Sequence, residues 1–341
     1  MRSIKLVLLL ILSIQTSLTA TEVTIICTGD IIPGSEIIPS PPFKKTSRFK
    51  LESNTFRHVS HILKRGDITI GNLEGPIGYD GLQIIDKGFH GYSFRFAPGA
   101  AKILKHAGFT ALNLANNHTF DCTGEGLYET YLAFYRSGIL PVGLYELPWH
   151  IPELPLAAQW TMPIQKIKGL KVALLGFASR EVFKSINYTR ECIDVIRIAK
   201  KASDLCIVTF HGGAELSNRA VNQTEYYLDE RRGNTIAFAR AAIDAGADLV
   251  FGHGPHVLRG MDFYKRKVIA YSLGNFCDRG LMKYIYPGNT NIQKSVILEV
   301  VLNERGDYIK AKVYPVTTAE KGMPMLDPKQ QGIEILNTFS R

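Results

Sequence analysis

The chain has 341 residues, 45% of them hydrophobic and 21% charged, an ordinary globular balance that excludes a disordered or coiled-coil protein. Its formal net charge is +9, yet no Lys/Arg-rich block carries interleaved aromatics. This argues against a nucleic-acid binder and leaves cell-wall polymers, phosphate esters or a membrane face as anionic partners.

The first twenty residues read as a signal peptide. Arg2 and Lys5 form a basic start, residues 6–14 are nearly all aliphatic, and Ser17-Leu18-Thr19-Ala20 offers a small-residue cleavage site. The apolar core falls well short of the roughly twenty residues a spanning helix needs. Export to the periplasm or cell envelope is therefore expected, with residues 21–341 as one domain whose core covers about 23–317. Losing Arg2 and Lys5 lowers the net charge from +9 to +7. The five cysteines, Cys27, Cys122, Cys192, Cys206 and Cys277, lack C-x-x-C spacing, so neither a thiolate zinc site nor a dense disulfide framework is expected. One disulfide is compatible with export. Cys27 lies in a strand-like run past the cleavage site, unlike a lipid-attachment cysteine.

Downstream, short apolar runs alternate with helical stretches and end in polar loops. Residues 23–27 run into Thr28-Gly29-Asp30, and 68–70 into Gly71-Asn72-Leu73-Glu74. A helix over 100–106 stops at Gly108, and a strand over 110–114 leads to Asn116-Asn117-His118. Strands over 172–175 and 205–210 follow, the second ending in His211-Gly212-Gly213. A helix over 236–244 precedes a strand over 249–251 and the loop His253-Gly254-Pro255-His256. Residues 268–272 lead to Asn275, and 296–302 with 308–316 read as a closing antiparallel pair. The grammar predicts an α/β fold with a mostly parallel sheet flanked by helices, in two similar halves. Aligned without gaps, residues 107–118 lie over 245–256 and His118 falls on His256. Long connections at 36–50, 79–96 and 215–232 suit functional loops.

The strand ends collect Asp30, Asn72, Glu74, Asn117, His118, Asp121, His211, Glu215, His253, His256 and Asn275. Each alone has an ordinary explanation: Asp30, Asn72 and Asn275 as turn residues, Glu74 as a loop carboxylate, His211 as a satisfied core histidine. Together they form a nitrogen and oxygen donor set without thiolate, suited to Mn, Fe, Zn or Mg. Two such ions about 3.5–4 Å apart can clamp the attacking and leaving oxygens of a hydrolysis.

Six ordered motifs carry a resemblance: G-D-I-I-P-G, G-D-I-T-I-G-N-L-E-G-P-I, N-L-A-N-N-H-T-F-D-C-T-G-E-G-L, H-G-G-A-E, G-A-D-L-V-F-G-H-G-P-H-V-L-R-G and Y-S-L-G-N-F. Over residues 23–276 the chain resembles the bacterial poly-gamma-glutamate capsule synthesis family called CapA, which has the calcineurin-like metallophosphoesterase fold. The resemblance implies a four-layer αββα sandwich with its site at the loop ends of the sheets. It implies one or two divalent ions, most often Mn, Fe or Zn, held by Asp30, Asn72, Glu74, Asn117, His211 and His253. His118 and His256 resemble catalytic or substrate-contacting histidines, and Glu215 and Asn275 substrate-binding residues.

The departures are specific. Ile32 stands where metallophosphoesterases carry the histidine of Asp-x-His, Asp67 precedes its strand instead of ending it, and His211-Gly212-Gly213-Ala214-Glu215-Leu216 lacks the aromatic that follows the histidine in the capsule family's H-W-G-x-E-Y. The implied function is an exported metal-dependent hydrolase or transferase acting on an anionic cell-envelope polymer such as poly-gamma-glutamate, with membrane-associated envelope proteins as further partners. The alternatives are a non-catalytic envelope factor that binds or guides a polymer, and a metallophosphoesterase acting on small phosphoesters.

Overall fold

A computed structural model describes residues 20–32, 36–37, 50–85, 87, 92–144, 163–180 and 183–340. The expected signal peptide, but for Ala20, and most of the 36–50 connection lie outside them.

The alternation of side chains along each strand builds two sheets, not one. The first runs in the order Met325–Leu326, Tyr308–Thr317, Lys294–Leu302, Val23–Ile31, Ile68–Leu73, Ala111–Asn113, Leu140–Val142, with Asn275–Cys277 also pairing with Val23–Ile31. The second runs Met261–Tyr264, Lys267–Ala270, Leu249–His253, Leu205–His211, Leu170–Ala178, Ile164–Ile167. Parallel strands occupy the middle of both sheets, and antiparallel partners close the first on one edge and the second on both. The expected hairpin of 294–302 with 308–317 completes the sheet begun at Val23, so the first sheet draws on both ends of the chain.

Three apolar layers hold these sheets. Ile25, Cys27, Ile68, Ile70, Leu205, Ile207, Leu249 and Phe251 pack sheet against sheet. Ile26, Ile31, Leu104, Phe109, Leu112 and Phe134 pack the first sheet on helices Ala100–Ala107 and Thr123–Ser137. Val208, Phe210, Val250, Ile196 and Phe238 pack the second on helices Thr189–Ala202 and Thr235–Asp244. This is the expected αββα sandwich. Cys27, Cys122, Cys192, Cys206 and Cys277 are all buried free thiols.

Period-two alternation also decides where the polar residues point. Leu249 and Phe251 face the opposite sheet, so His253 does too; Leu205 and Ile207 carry His211 with them in the same way. Ile68 and Ile70 likewise orient Asn72. In Val23–Ile31 the alternation is broken. Against Ile68–Leu73, Cys27 pairs with Ile70 but Asp30 with Asn72, three residues against two. The extra residue is a β-bulge, and it turns Asp30 from the helix side to the sheet-facing side while Ile31 takes the helix side. Gly29 sits in this bulge, where a Cβ would collide with the Gly274 carbonyl oxygen; that oxygen accepts the Asp30 N–H at 2.9 Å. Gly29→Ala should therefore lower the free energy of unfolding by about 3 kcal/mol, read as a lower urea midpoint.

Candidate metal centre

The strands end in two facing rows. Across the first sheet, Asn275, Asp30, Asn72 and Asn113 are consecutive register partners; across the second, His253, His211 and Ala178 are. Loops after the strands add Glu74, Asn117, His118 and His256.

Asp30 is the junction. Its Oδ1 accepts from Asn72 Nδ2 at 3.0 Å and lies 3.3 Å from His253 Nδ1; its Oδ2 accepts from the Gly254 N–H at 3.3 Å and lies 3.2 Å from His256 Nδ1. Glu74 is the second carboxylate. Its Oε1 lies 3.2 Å from His211 Nε2, 3.5 Å from His256 Nε2 and 4.0 Å from His118 Nε2. Both carboxylates are fully buried. The 107–118 and 245–256 repeats thus bring His118 and His256, one from each half, to the same Glu74 oxygen.

Donor atoms from Asp30, Glu74 and His256 lie within 4.8 Å of one another. Around them, Glu74 Oε2, Asn117 Oδ1, His211 Nδ1 and both ring nitrogens of His253 are buried without a hydrogen-bond partner. Such orphaned donors are costly unless they bind something, so the residues present fit a divalent cation.

The electrostatics agree with the geometry. Burial works to raise the Asp30 carboxyl, but the imidazoles of His253 and His256 beside it outweigh burial and hold Asp30 well below the usual carboxylate range. Burial raises Glu74, and the charge of Asp30 adds to it. Burial would depress His256, yet Glu74, Asp30 and Glu215 together push it up to about 10. Burial and the Arg232 charge hold His211 well below its ordinary value, and burial and Lys87 lower His118. Two buried carboxylates thus draw positive charge to the spot between them, whereas His211 is kept neutral as a ligand must be.

The other expected residues divide. Asn72 spends its carboxamide oxygen on Asn113 Nδ2 at 3.0 Å and Asn116 Nδ2 at 3.1 Å, so it orients Asp30. Asn275 is fully buried behind His256, its Oδ1 3.1 Å from His256 Nδ1. Glu215, Asn117, His118 and His256 line a cavity of about 670 Å³ that opens beside the centre. His118 is fixed on two sides: Nδ1 lies 2.7 Å from Asp121 Oδ2, and its ring stacks on Phe94 at 4.2 Å. His256 holds a left-handed φ of 59°, which a non-glycine residue keeps only where its surroundings enforce it. Asp67, beyond the far end of its strand, pairs with Lys168 at 2.7 Å and takes no part.

Sequence reasoning missed Asn113, Asn116 and two buried arginines. Arg232 donates to the carbonyls of Gly213 at 3.1 Å and Gly254 at 3.3 Å, tying together the loops that follow His211 and His253. Arg259 clamps Glu225 through two bonds of 2.8 and 2.7 Å and donates to Ala214 and Ser217 carbonyls. A Cβ on Gly213 would come within 2.6 Å of Arg259, and one on Gly254 within 3.1 Å of Arg232; both glycines also have positive φ. The glycines of H-G-G and G-H-G-P-H therefore make room for guanidinium groups. An Asn72–Asn113–Asn116 hub had a visible signal in N-L-A-N-N-H; the arginines had none.

Residues 24–279 match the family described as Bacterial capsule synthesis protein PGA_cap. The chain belongs to this family. It is 30% identical over 303 residues to the capsule biosynthesis protein CapA of Bacillus anthracis, covering 84% of this chain and 66% of that one. It is 32% identical over 260 residues to the PGA biosynthesis protein CapA of Bacillus subtilis (strain 168), covering 73% of this chain and 61% of that one. The match thus spans less than two thirds of either relative's length. Among solved structures, the 5'-nucleotidase precursor from Thermus thermophilus superposes with a TM-score of 0.50 at 10% identity, over 93% of this chain and 58% of that one. It shares the metallophosphoesterase-like fold.

The Arg259–Glu225 pair gives a stability test. Arg259→Ala, which strands a buried carboxylate, should cost about 3–5 kcal/mol in chemical denaturation, and Glu225→Leu combined with Arg259→Met should recover much of it.

Proposed function

We propose that the protein is an exported, divalent-metal-dependent hydrolase or transferase acting on an anionic cell-envelope polymer of the poly-gamma-glutamate kind. The observation that carries this reading is the buried meeting of Asp30, Glu74, His211, His253 and His256, with unpartnered donor atoms, beside an open cavity. Family membership and the capsule-synthesis names of the Bacillus relatives support the polymer. The net positive charge suits a polyanion. Among the described residues no helix is long and apolar enough to cross a membrane. Residues 1–20 carry the export reading.

In this proposal Asp30, Glu74, His211, His253 and Asn117 would hold one or two ions of Mn, Fe or Zn, with His256 joining them once an ion displaces its proton. Such ions, when bound, polarise a carbonyl or phosphoryl oxygen and acidify water. Asn72 and Asn275 orient Asp30 and His256 from behind, as partners of ligands commonly do. His118 moves a proton at Nε2. It is neutral at pH 7 because burial and Lys87 depress it, and Asp121 at Nδ1 fixes the tautomer that leaves the Nε2 lone pair facing Glu74. Once Nε2 is protonated, Asp121 stabilises the imidazolium until the proton reaches the leaving group.

The non-catalytic reading rests on Ile32. Where a metal-binding histidine is expected, an apolar side chain is fully buried and walls the cavity. Metal content and turnover separate the two. The chain from Thr21 onward should hold near-stoichiometric Mn, Fe or Zn by mass spectrometry, and His253→Ala should lose most of it. With Mn or Zn added, gamma-glutamyl polymer should be turned over in preference to p-nitrophenyl phosphoesters. His118→Asn should lower that turnover by about 10²–10⁴-fold with metal content unchanged. Metal bound without turnover of either substrate would favour the polymer-binding factor; no metal in wild type even after reconstitution would overturn the metal centre.

A further inference from the structure

The cavity beside the centre is poorly suited to a run of carboxylates. Ile32, Ile85, Phe94, Phe120, Met282 and Ile285 make most of its wall apolar. Among the described lining residues, three basic groups, Lys87, Arg180 and His256, face three carboxylates, Asp121, Glu215 and Glu230. All three are committed: Lys87 pairs with Asp121, Arg180 Nη2 lies 2.6 Å from Glu230 Oε1, and His256 lies between Asp30 and Glu74. Glu215 is the lining carboxylate that pairs with none of them.

Its other contacts are loose. The Tyr286 hydroxyl donates to Glu215 Oε2 at 3.4 Å, the Tyr227 hydroxyl is hydrogen-bonded nearby, and Arg232 Nη1 lies 3.6 Å from Oε1 while also facing Glu230 at 3.4 Å. The Glu215 side chain is only 10% exposed. A desolvated carboxylate with acceptor capacity to spare, flanked by two phenol rings, attracts an organic cation by charge and by cation–π contact, and repels an anion.

We propose that this end of the cavity binds a primary ammonium group, with Glu215 as counter-ion and Tyr227 and Tyr286 beside it. The proposal rests on the glutamyl-polymer reading for what brings that ammonium. A gamma-glutamyl chain carries one free ammonium, at its amino end, and its remaining charges are carboxylates. The cavity therefore takes the amino-terminal unit, its ammonium toward Glu215 and the α-carboxylate on the same carbon turned away from Glu215 toward the metal centre, while the carboxylates of the following units stay outside and the protein acts at a chain end.

The test is calorimetric titration of the Mn-reconstituted protein with a gamma-glutamyl tetramer, the same tetramer N-acetylated, and benzylamine as an amine unrelated to the polymer. The free tetramer should bind at least about tenfold more tightly than the acetylated one, since a desolvated charge pair contributes at least that much. Glu215→Gln should erase the difference and abolish benzylamine binding. Tyr286→Leu, which removes the ring, should weaken benzylamine severalfold with metal content and melting temperature unchanged, so that misfolding of the Gln variant is not mistaken for a result. Equal binding of both tetramers would overturn the ammonium site and leave the polymer reading standing. Binding of benzylamine through Glu215 with neither tetramer bound would keep the ammonium site and sink the polymer. If none of the three binds, both fall.

Discussion

The site depends on one extra residue in one strand. Without the bulge between Cys27 and Asp30, alternation would turn the Asp30 carboxylate toward the helices with Ile26, among Phe109 and Leu112. An unpaired carboxylate in that layer would be prohibitive. With the bulge, the same carboxylate crosses the seam between the sheets and meets His253 at 3.3 Å and His256 at 3.2 Å. Each sheet alone has half a donor set: carboxylates and carboxamides on the first, imidazoles on the second. The apolar layer between the sheets, with Cys27, Ile70, Ile207 and Phe251, fixes the distance at which the halves face each other.

Much of this was legible in the sequence, and for a physical reason. Leu249, Phe251 and His253 are two apart, as are Ile207, Thr209 and His211, so strand periodicity alone points both imidazoles to the face of their apolar neighbours. The gap-free match of 107–118 with 245–256 also held spatial meaning, since His118 and His256 reach the same Glu74 oxygen. What stayed hidden depends on contacts between distant segments. Nothing local marks Arg232 as the tie between Gly213 and Gly254, because those loops follow different strands. Nor does Asn275 betray that its side chain lies against His256, 19 residues earlier.

The two buried arginines explain how loops keep a precise arrangement. Carbonyls at the ends of parallel strands have lost their ladder partners, and a loop carrying a ligand needs them satisfied without water. Arg232 and Arg259 supply donors to four such carbonyls, at Gly213, Gly254, Ala214 and Ser217. Glu225 offsets the charge of Arg259, while Arg232 Nη1 faces Glu230 at 3.4 Å and, less closely, Glu215 at 3.6 Å. Arg232 also adds to the depression of His211. One guanidinium thus ties the loop after His211 to the loop after His253 and adds to burial in keeping the His211 imidazole neutral.

Ile32 bears on how the chain departs from the metallophosphoesterase pattern. Two residues after Asp30 it is fully buried with Phe94, Val257, Leu281, Met282 and Ile292, a small apolar cluster at the cavity. A histidine there would put a polar ring among hydrocarbon side chains. In the proposed centre the second imidazole on Asp30 comes instead from the opposite sheet, through His256, whose φ of 59° swings the ring back over the carboxylate. The exchange has a consequence for the cavity. Freed from ligation, position 32 becomes wall, and the space next to the carboxylates is lined by hydrocarbon and phenol instead of by a ring that must stay on an ion. In the proposed reading, a centre built this way replaces the missing imidazole with His256 and leaves its neighbouring wall free for recognition.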